Sequence, residues 1–365
     1  MKNEIGPSAL RARLQELPGP IAVICQASAP PPVDGISKPP KPGGYRDSGA
    51  DIAFALARWG AQVVTPGPSP RPTQDDDWTF GDSPEELHAL QRRGVRVFWA
   101  NTTIHPNHPL FALRGNVWIV GQNPEAVHRF EDKGVMHDWL RRRGFPVPRL
   151  WRLVLDDALA LRELGLQVGD QAILKPVRGR GSQGVTLVDA GVLDAALAVF
   201  DREQFGKEVL LEEYLPGAEV TISVLPPGEY GTEAMQRCDR HFALAPVERF
   251  DHLEGVIPYS GVVPVARNSR VATDVNPALQ DLLAVAEGIA DCLRSRAAIR
   301  VDARVDRAGR YRVIDVNFKP NMTGPGRPGR EDQSSLVALA AQGSGWPFAE
   351  LVGNLALQCW RVRQS

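Results

Sequence analysis

The chain has 365 residues, and its 42 Lys+Arg against 43 Asp+Glu leave a formal net charge of −1. That length holds two or three domains with real cores, and the charge balance excludes the basic footprint of a nucleic-acid binder or of a protein held on an anionic membrane. No apolar run reaches membrane-spanning length, and the opening Met-Lys-Asn-Glu-Ile-Gly-Pro lacks an apolar core segment, so neither a span nor a secretory leader is expected.

Residues 1–120 alternate strand and helix signals. Residues 21–25 are a short apolar strand followed by a Pro-rich loop to about residue 46. Residues 51–59 read as an amphipathic helix stopped by Gly60, and 62–65 as a second strand. Residues 66–78, rich in Pro and Asp, are too polar to pack and are expected to form a mobile loop. Ser83-Pro84-Glu85-Glu86 is a capping box with Pro at the first helical position. Its helix ends at Gly94, and 95–100 and 116–120 are further strands. This alternation predicts right-handed βαβ units and a mostly parallel sheet, which binds ligands at the carboxyl ends of its strands. The loops after Cys25 and Ala100 are therefore candidate substrate loops, although mere connection accounts equally well for any one residue.

Asn123-Pro124 caps another helix, and Glu131-Asp132-Lys133 opens one that ends at Gly144. Pro146 and Pro148 mark a boundary. From Trp151 the chain is β-rich, with strands at 171–175, 185–188 and 208–213 and a helix at 193–200. A strand at 221–225 leads into a long irregular stretch, 226–270. A helix capped by Asn276-Pro277 runs to about Ser295, and helices near 334–342 and 347–363 finish the chain. Three units result: 1–122, a βαβ domain; 123–216, a small α+β unit; and 217–365. Cys25, Cys238, Cys292 and Cys359 are scattered, with no CxxC, and are expected to be reduced, buried thiols of a cytoplasmic protein.

Three stretches carry chemistry. The first, Lys175-Pro-Val-Arg-Gly179-Arg-Gly181-Ser182-Gln-Gly184, contains GxGxxG. A dinucleotide fingerprint must run from strand into helix, but here the next residues are strand-like. The loop thus joins two strands as a flap whose N–H groups can close over phosphates. No GxxxxGK[ST] is present, and the kinase companions HRD-x₄-N and DFG are missing. A plain glycine hairpin is the bland account. The second stretch, Leu210-Leu-Glu212-Glu-Tyr-Leu215-Pro-Gly-Ala-Glu219, ends a strand in acidic residues able to accept from an adenine amino group or a ribose hydroxyl. Singly, such residues are more often solvated.

In the third, alternating runs flank Asp306-Arg307-Ala308-Gly309-Arg310, a hairpin signal. If Asp306 pairs with Tyr311, Asp302 opposes Asp315 and Arg300 opposes Asn317, all on one face. Ile299, Val301, Ile314 and Val316 then line the other. Opposed Cβ atoms lie roughly 5 Å apart, where like charges repel; a divalent cation reverses that cost. Two carboxylates and an amide oxygen form a hard-oxygen half-shell suited to Mg²⁺ shared with phosphates. The plainer account is a surface hairpin with solvated aspartates, and a one-residue slip would part them.

In this order the pieces resemble the ATP-grasp superfamily, most closely its D-alanine–D-alanine ligase-like branch, over about residues 115–325; the N-terminal part is similar only in its βαβ character. The resemblance implies a three-part ATP-grasp fold, mixing α/β and α+β. It implies that Lys133 and Lys175 bind nucleotide phosphates under a flap containing Gly181 and Ser182. Glu212 and the Leu215 backbone would meet adenine and Glu219 the ribose, while Asp302, Asp315 and Asn317 would hold metal. ATP and two Mg²⁺ ions, with Mn²⁺ as a substitute, are the implied cofactors. The implied activity joins a small-molecule carboxylate to an amine through an acyl phosphate, on amino acids or small peptides, in specialised metabolism. Arg300, Lys175 and Ser182 would be catalytic. Neither nucleic acid nor membrane is an expected partner; a homodimer is. His241, His252, Arg240, Arg249 and Tyr259 lie in the stretch that partly covers the family's active site, and the last three, with Asn321, are candidate substrate contacts.

Two departures stand out: Asp315 replaces the family's usual Glu, and Asn321 replaces the glycine that closes the substrate site. The short N-terminal Gly-Glu substrate motif is also unrecognisable after Cys25. The alternatives are a nucleotide-binding regulator without turnover, or an ATP-grasp enzyme of purine or carboxylase type.

Overall fold

The computed structural model describes residues 8–27, 29–33, 42–155, 164–179, 181–258 and 265–362. Three main sheets organise them. The first is parallel through Ile21–Cys25, Phe80–Gly81, Val97–Asn101 and Trp118–Val120. An antiparallel edge strand, Trp360–Arg361, completes it. Its interior strand Ile21–Cys25 is buried at every position, as expected of a sheet covered on both faces by crossover helices. The second sheet is antiparallel, ordered Leu150–Val154, Glu208–Glu213, Gln171–Pro176, Thr186–Asp189. The third is also antiparallel and has the hairpin Ile299–Val305/Tyr311–Asn317 at one edge, next to Glu219–Leu225. Helix Pro277–Leu293, capped by Asn276, packs its apolar face on that sheet. Among the described residues no helix is long and apolar enough to cross a membrane.

Several sequence expectations are corrected. Residues 62–65 form only an isolated bridge, Ile21 to Val63. The helix expected at 51–59 begins earlier, at Arg46, and runs to Arg58. The Pro- and Asp-rich stretch 66–78 does pack: Trp78 is buried, meets the Phe54 ring edge-on at 5.3 Å, and donates its Nε1 to Arg71 O. One large aromatic outweighs the polar neighbours that made the segment look solvated. Among its described residues the stretch 226–270 contains five short strands, from Gly228–Tyr230 to Ser269–Val271, each too brief for alternation to register. The last helix stops at Ala356, because the following residues return to the first sheet as its edge. Cys292 is exposed rather than buried.

Candidate active site

The hairpin forms the floor. Asp302 opposes Asp315 and Arg300 opposes Asn317, but the turn-proximal pairing is Val305 with Tyr311, not Asp306 with Tyr311. A β-bulge reconciles the two: Asp302 pairs with Asp315 and Ala303 with Val313, leaving Ile314 as the extra residue. The consequence is local. Val313, not Ile314, joins the core with Ile299, Val301 and Val316. Ile314 faces the cleft, and its carbonyl accepts from Lys175 Nζ at 3.4 Å. The loop is five residues, fastened by Asp306, whose carboxylate accepts from Ala308 N and Arg310 N at 2.9 Å each.

Each opposed aspartate carries its own cation. Arg300 meets Asp302 in two bonds of 2.8 Å, and Thr221 Oγ1 donates to Asp302 at 2.6 Å. Burial works against the Asp302 charge, but Arg300 and Thr221 prevail and hold its carboxyl below the usual range. Burial also opposes the Arg300 charge, and Asp302 more than offsets it, so the guanidinium pKa is raised. Across the hairpin, Asp315 receives Lys133 Nζ at 2.7 Å. Lys133 occupies the first turn of helix Lys133–Arg142, whose N-cap is Asp132. A cation there opposes the helix dipole, so the helix does not favour it locally; lysine and helix end together make a point that attracts anions.

The second sheet forms the opposite wall. Lys175 and Glu212 are both buried and meet at 2.6 Å. Leu215 and Glu219 also line the cleft, with His252 Nε2 2.9 Å from Glu219 and Arg249 at 4.0 Å. Arg249 Nε is buried without a hydrogen-bond partner, and burial lowers that guanidinium's pKa. The flap residues Gly179, Gly181 and Ser182 close one side. Ser182 adopts φ +60°, a left-handed conformation costly for a residue with a Cβ. Gly184 sits at φ +69°, a conformation that residues with a Cβ rarely adopt, and a Cβ there would stand 2.7 Å from the Phe205 ring. The cleft measures about 380 Å³.

Lys133, Lys175, Gly181, Ser182, Glu212, Leu215, Glu219, Arg249, Arg300, Asp302, Asp315, Asn317 and Asn321 therefore line one cavity. Arg240 does not: it lies at the surface, 3.3 Å from Asp291, whose carboxylate also meets the buried His241 ring at 2.6 Å. Tyr259 lies outside the described residues. Thr221 was missed, though its signal was present: Glu219, Thr221 and Ser223 alternate with buried Val220, Ile222 and Val224, and in register they oppose Arg304, Asp302 and Arg300. Lys319 and Tyr45, also on the wall, carried no periodic signal.

The donor set fits Mg²⁺ shared with a ligand and does not fit an ion held by protein alone. Among the described residues no three His, Cys, Asp or Glu side chains gather around one point. Two carboxylates in register supply hard oxygen, and their lysine and arginine partners are cations that a phosphate can recruit. Asn317 Oδ1 already accepts from Lys319 N at 3.0 Å, so it has one lone pair to offer.

The family model described as D-ala D-ala ligase C-terminus matches residues 155–356. A D-alanine–D-alanine ligase of Gloeobacter violaceus is 30% identical over 194 residues, covering 52% of this chain and 55% of that protein. One from Bordetella parapertussis is 30% identical over 226 residues, covering 62% and 65%. The chain thus spans between half and two thirds of the length of these curated relatives. Among solved structures, a Bacillus anthracis D-alanine–D-alanine ligase complexed with ATP superposes with a TM-score of 0.63 at 17% identity, covering 93% of this chain and 97% of that one. A D-Ala:D-Ser ligase of Enterococcus faecalis gives 0.59, also at 17%, covering 93% and 99%. The fold of these structures is ATP-grasp.

Proposed function

We propose that this chain, which belongs to the D-ala D-ala ligase C-terminus family, is an ATP- and Mg²⁺-dependent ligase that joins a carboxylate to an amine and releases ADP and phosphate. One observation carries the reading: two lysines, an arginine and the paired aspartates converge on a single cleft roofed by a glycine flap. The proposal extends to amino acids or small peptides as substrates, and to the three units assigned from sequence. The named relatives favour neither a silent regulator nor a purine- or carboxylase-type enzyme.

In the chemistry proposed, a substrate carboxylate oxygen attacks the γ-phosphorus of ATP; the bond to the β–γ bridging oxygen breaks, giving an acyl phosphate and ADP. The amine nitrogen then attacks the acyl carbon, phosphate leaves with the C–O electron pair, and the surplus amine proton passes to phosphate or solvent. Lys133 and Lys175 exchange their carboxylate partners for phosphate oxygens, which positions the triphosphate and offsets its charge. Asp302, Asp315 and the free lone pair of Asn317 would hold Mg²⁺, which supplies charge neutralisation on the phosphates when bound. Arg300, kept charged by Asp302, stabilises the oxyanion and the departing phosphate. Glu219 and Glu212 face the nucleoside end, and the Gly181–Ser182 flap excludes water. No protein nucleophile is used.

ATP, Mg²⁺ and pooled amino acids test this directly. ADP release that requires both a carboxylate and an amine, with a product mass equal to their condensation, is the expected result. ATP binding without ADP release under any pool would overturn it.

A further inference from the structure

Among the described residues three arginines line the cleft, and two of them are engaged within the protein. Arg300 gives two bonds to Asp302, and Arg304 gives one each to the carbonyls of Gly217 and Gly255. Arg249 differs. Its side chain is only 10% exposed, yet its Nε is buried with no hydrogen-bond partner. Its Nη1 stands 4.0 Å from Glu219 Oε1, beyond hydrogen-bonding reach, and the other oxygen of that carboxylate already meets His252 Nε2 at 2.9 Å. The support is rigid: Arg249 ends strand Val247–Arg249, in register with Glu219 on one side and Ser269 on the other. Burial opposes its charge, and Glu219 and Asp302 are the carboxylates that favour it. A buried donor left unmet is costly unless a group from outside the protein satisfies it. The planar fork of a guanidinium matches the two oxygens of a carboxylate or a phosphate.

We infer that Arg249 binds anionic oxygens of a ligand in this cleft, in addition to the two lysines and Arg300. The reading rests on the proposed ligase activity and deepens it. The anion has two sources. One is a phosphate of the nucleotide, because Glu219 and Asp302 are the proposed ribose and metal positions and the phosphates of a nucleotide connect those two. The other is a carboxylate of the substrate. In both cases Arg249 selects ligands by their charge.

Calorimetry on the full chain with Mg²⁺ distinguishes the sources. One arm compares adenosine, AMP, ADP and a non-hydrolysable ATP analogue, so that each added phosphate gives an affinity ratio. The other titrates the analogue-loaded protein with amino acids and with their α-amides, and compares aspartate and glutamate with asparagine and glutamine. In one arm Arg249→Met should lower a ratio of charged to less charged ligand about tenfold, as expected of one charge-assisted contact. Arg249→Lys keeps the charge but not the fork; it should lower the same ratio by less, and it is the variant read if Arg249→Met does not fold. The arm in which the ratio falls identifies the source. A residue that only braces Glu219 would weaken charged and uncharged ligands alike. If no ratio falls in either arm, the inference is therefore overturned, even where all affinities drop together. Failure of the ligase reading shows separately, as no ADP release from any pool.

Discussion

Two ion clusters in this molecule share an inventory and differ in almost everything else. Beside the cleft, Arg300 and Asp302, Lys133 and Asp315, and Lys175 and Glu212 pair off along a wall of open space. Near helix Arg46–Arg58, Arg327 and Asp51 are each 1% exposed at the side chain, and Arg327 also binds Asp75 Oδ1 at 2.6 Å and Pro72 O at 2.9 Å. Arg330 adds two bonds to Asp51, of 2.8 and 3.0 Å. No cavity adjoins Arg327 among those described for this structure. The second cluster is a clasp: its polar atoms are engaged within the protein, and it ties the segment after the hairpin to the first unit. Under the proposed function the first is a set of provisional pairs, which would trade a carboxylate for a phosphate. Burial alone does not separate them; what stands next to the pair does.

Substitutions can break that contrast. The largest effect is expected from Asp315→Asn, which keeps the shape and removes the charge opposite Asp302. ADP release should fall roughly a thousandfold while circular dichroism and nucleotide-analogue affinity are largely kept; unchanged turnover would remove the hairpin from the chemistry. Arg327→Met should act in the opposite column, lowering unfolding free energy by about 3 kcal/mol in a denaturant titration. The protein that stays folded should bind the nucleotide analogue with little change. A large loss of nucleotide affinity with no loss of stability would dissolve the distinction.

Lys133→Met should weaken nucleotide-analogue binding by about tenfold, read by calorimetry, as expected for one charge-assisted phosphate contact. Its cost in stability should be small, because Asp315 is partly exposed. The smallest effect concerns pH. Asp306 is held down to about 2 by backbone donors from Arg310 and Ala308 and by Arg312. A carboxyl depressed on folding contributes stability above its unfolded pKa, roughly 3.9, and loses it as pH falls toward the folded value. Asp306→Asn should therefore narrow the gap in stability between pH 5 and pH 2.5, without altering turnover at neutral pH.

The same contrast explains what the sequence made legible. Alternation across Arg300–Asp302 and Asp315–Asn317 exposes the shared face before any coordinates, because a strand's period depends only on its neighbours. The Ile314 bulge is invisible at that level: it leaves the aspartates opposed while replacing Ile314 with Val313 in the core. The flap and Lys175 were readable from glycine spacing. Arg327 was not. It lies in Gly324-Pro-Gly-Arg-Pro-Gly-Arg330, a stretch whose composition reads as a solvated loop, and its partner Asp51 is 276 residues away. Asp51 itself reads as the polar face of an amphipathic helix. Arg240 errs the other way, since membership of the stretch 226–270 does not bring a side chain to the cleft.

The edge strand Trp360–Arg361 has a consequence for how the molecule comes into being. Trp360 also donates its indole N–H to Gly121 O, 239 residues earlier. The parallel strands are synthesised well before this partner, so their flank at Trp118–Val120 stays bare until Trp360 and Arg361 have emerged. Closing it early would bring loop-closure entropy without the contacts that repay it. Nascent chains halted before residue 360 should therefore be the species that chaperones retain, and a genetic fusion that moves this strand to just after Val120 should shorten that wait.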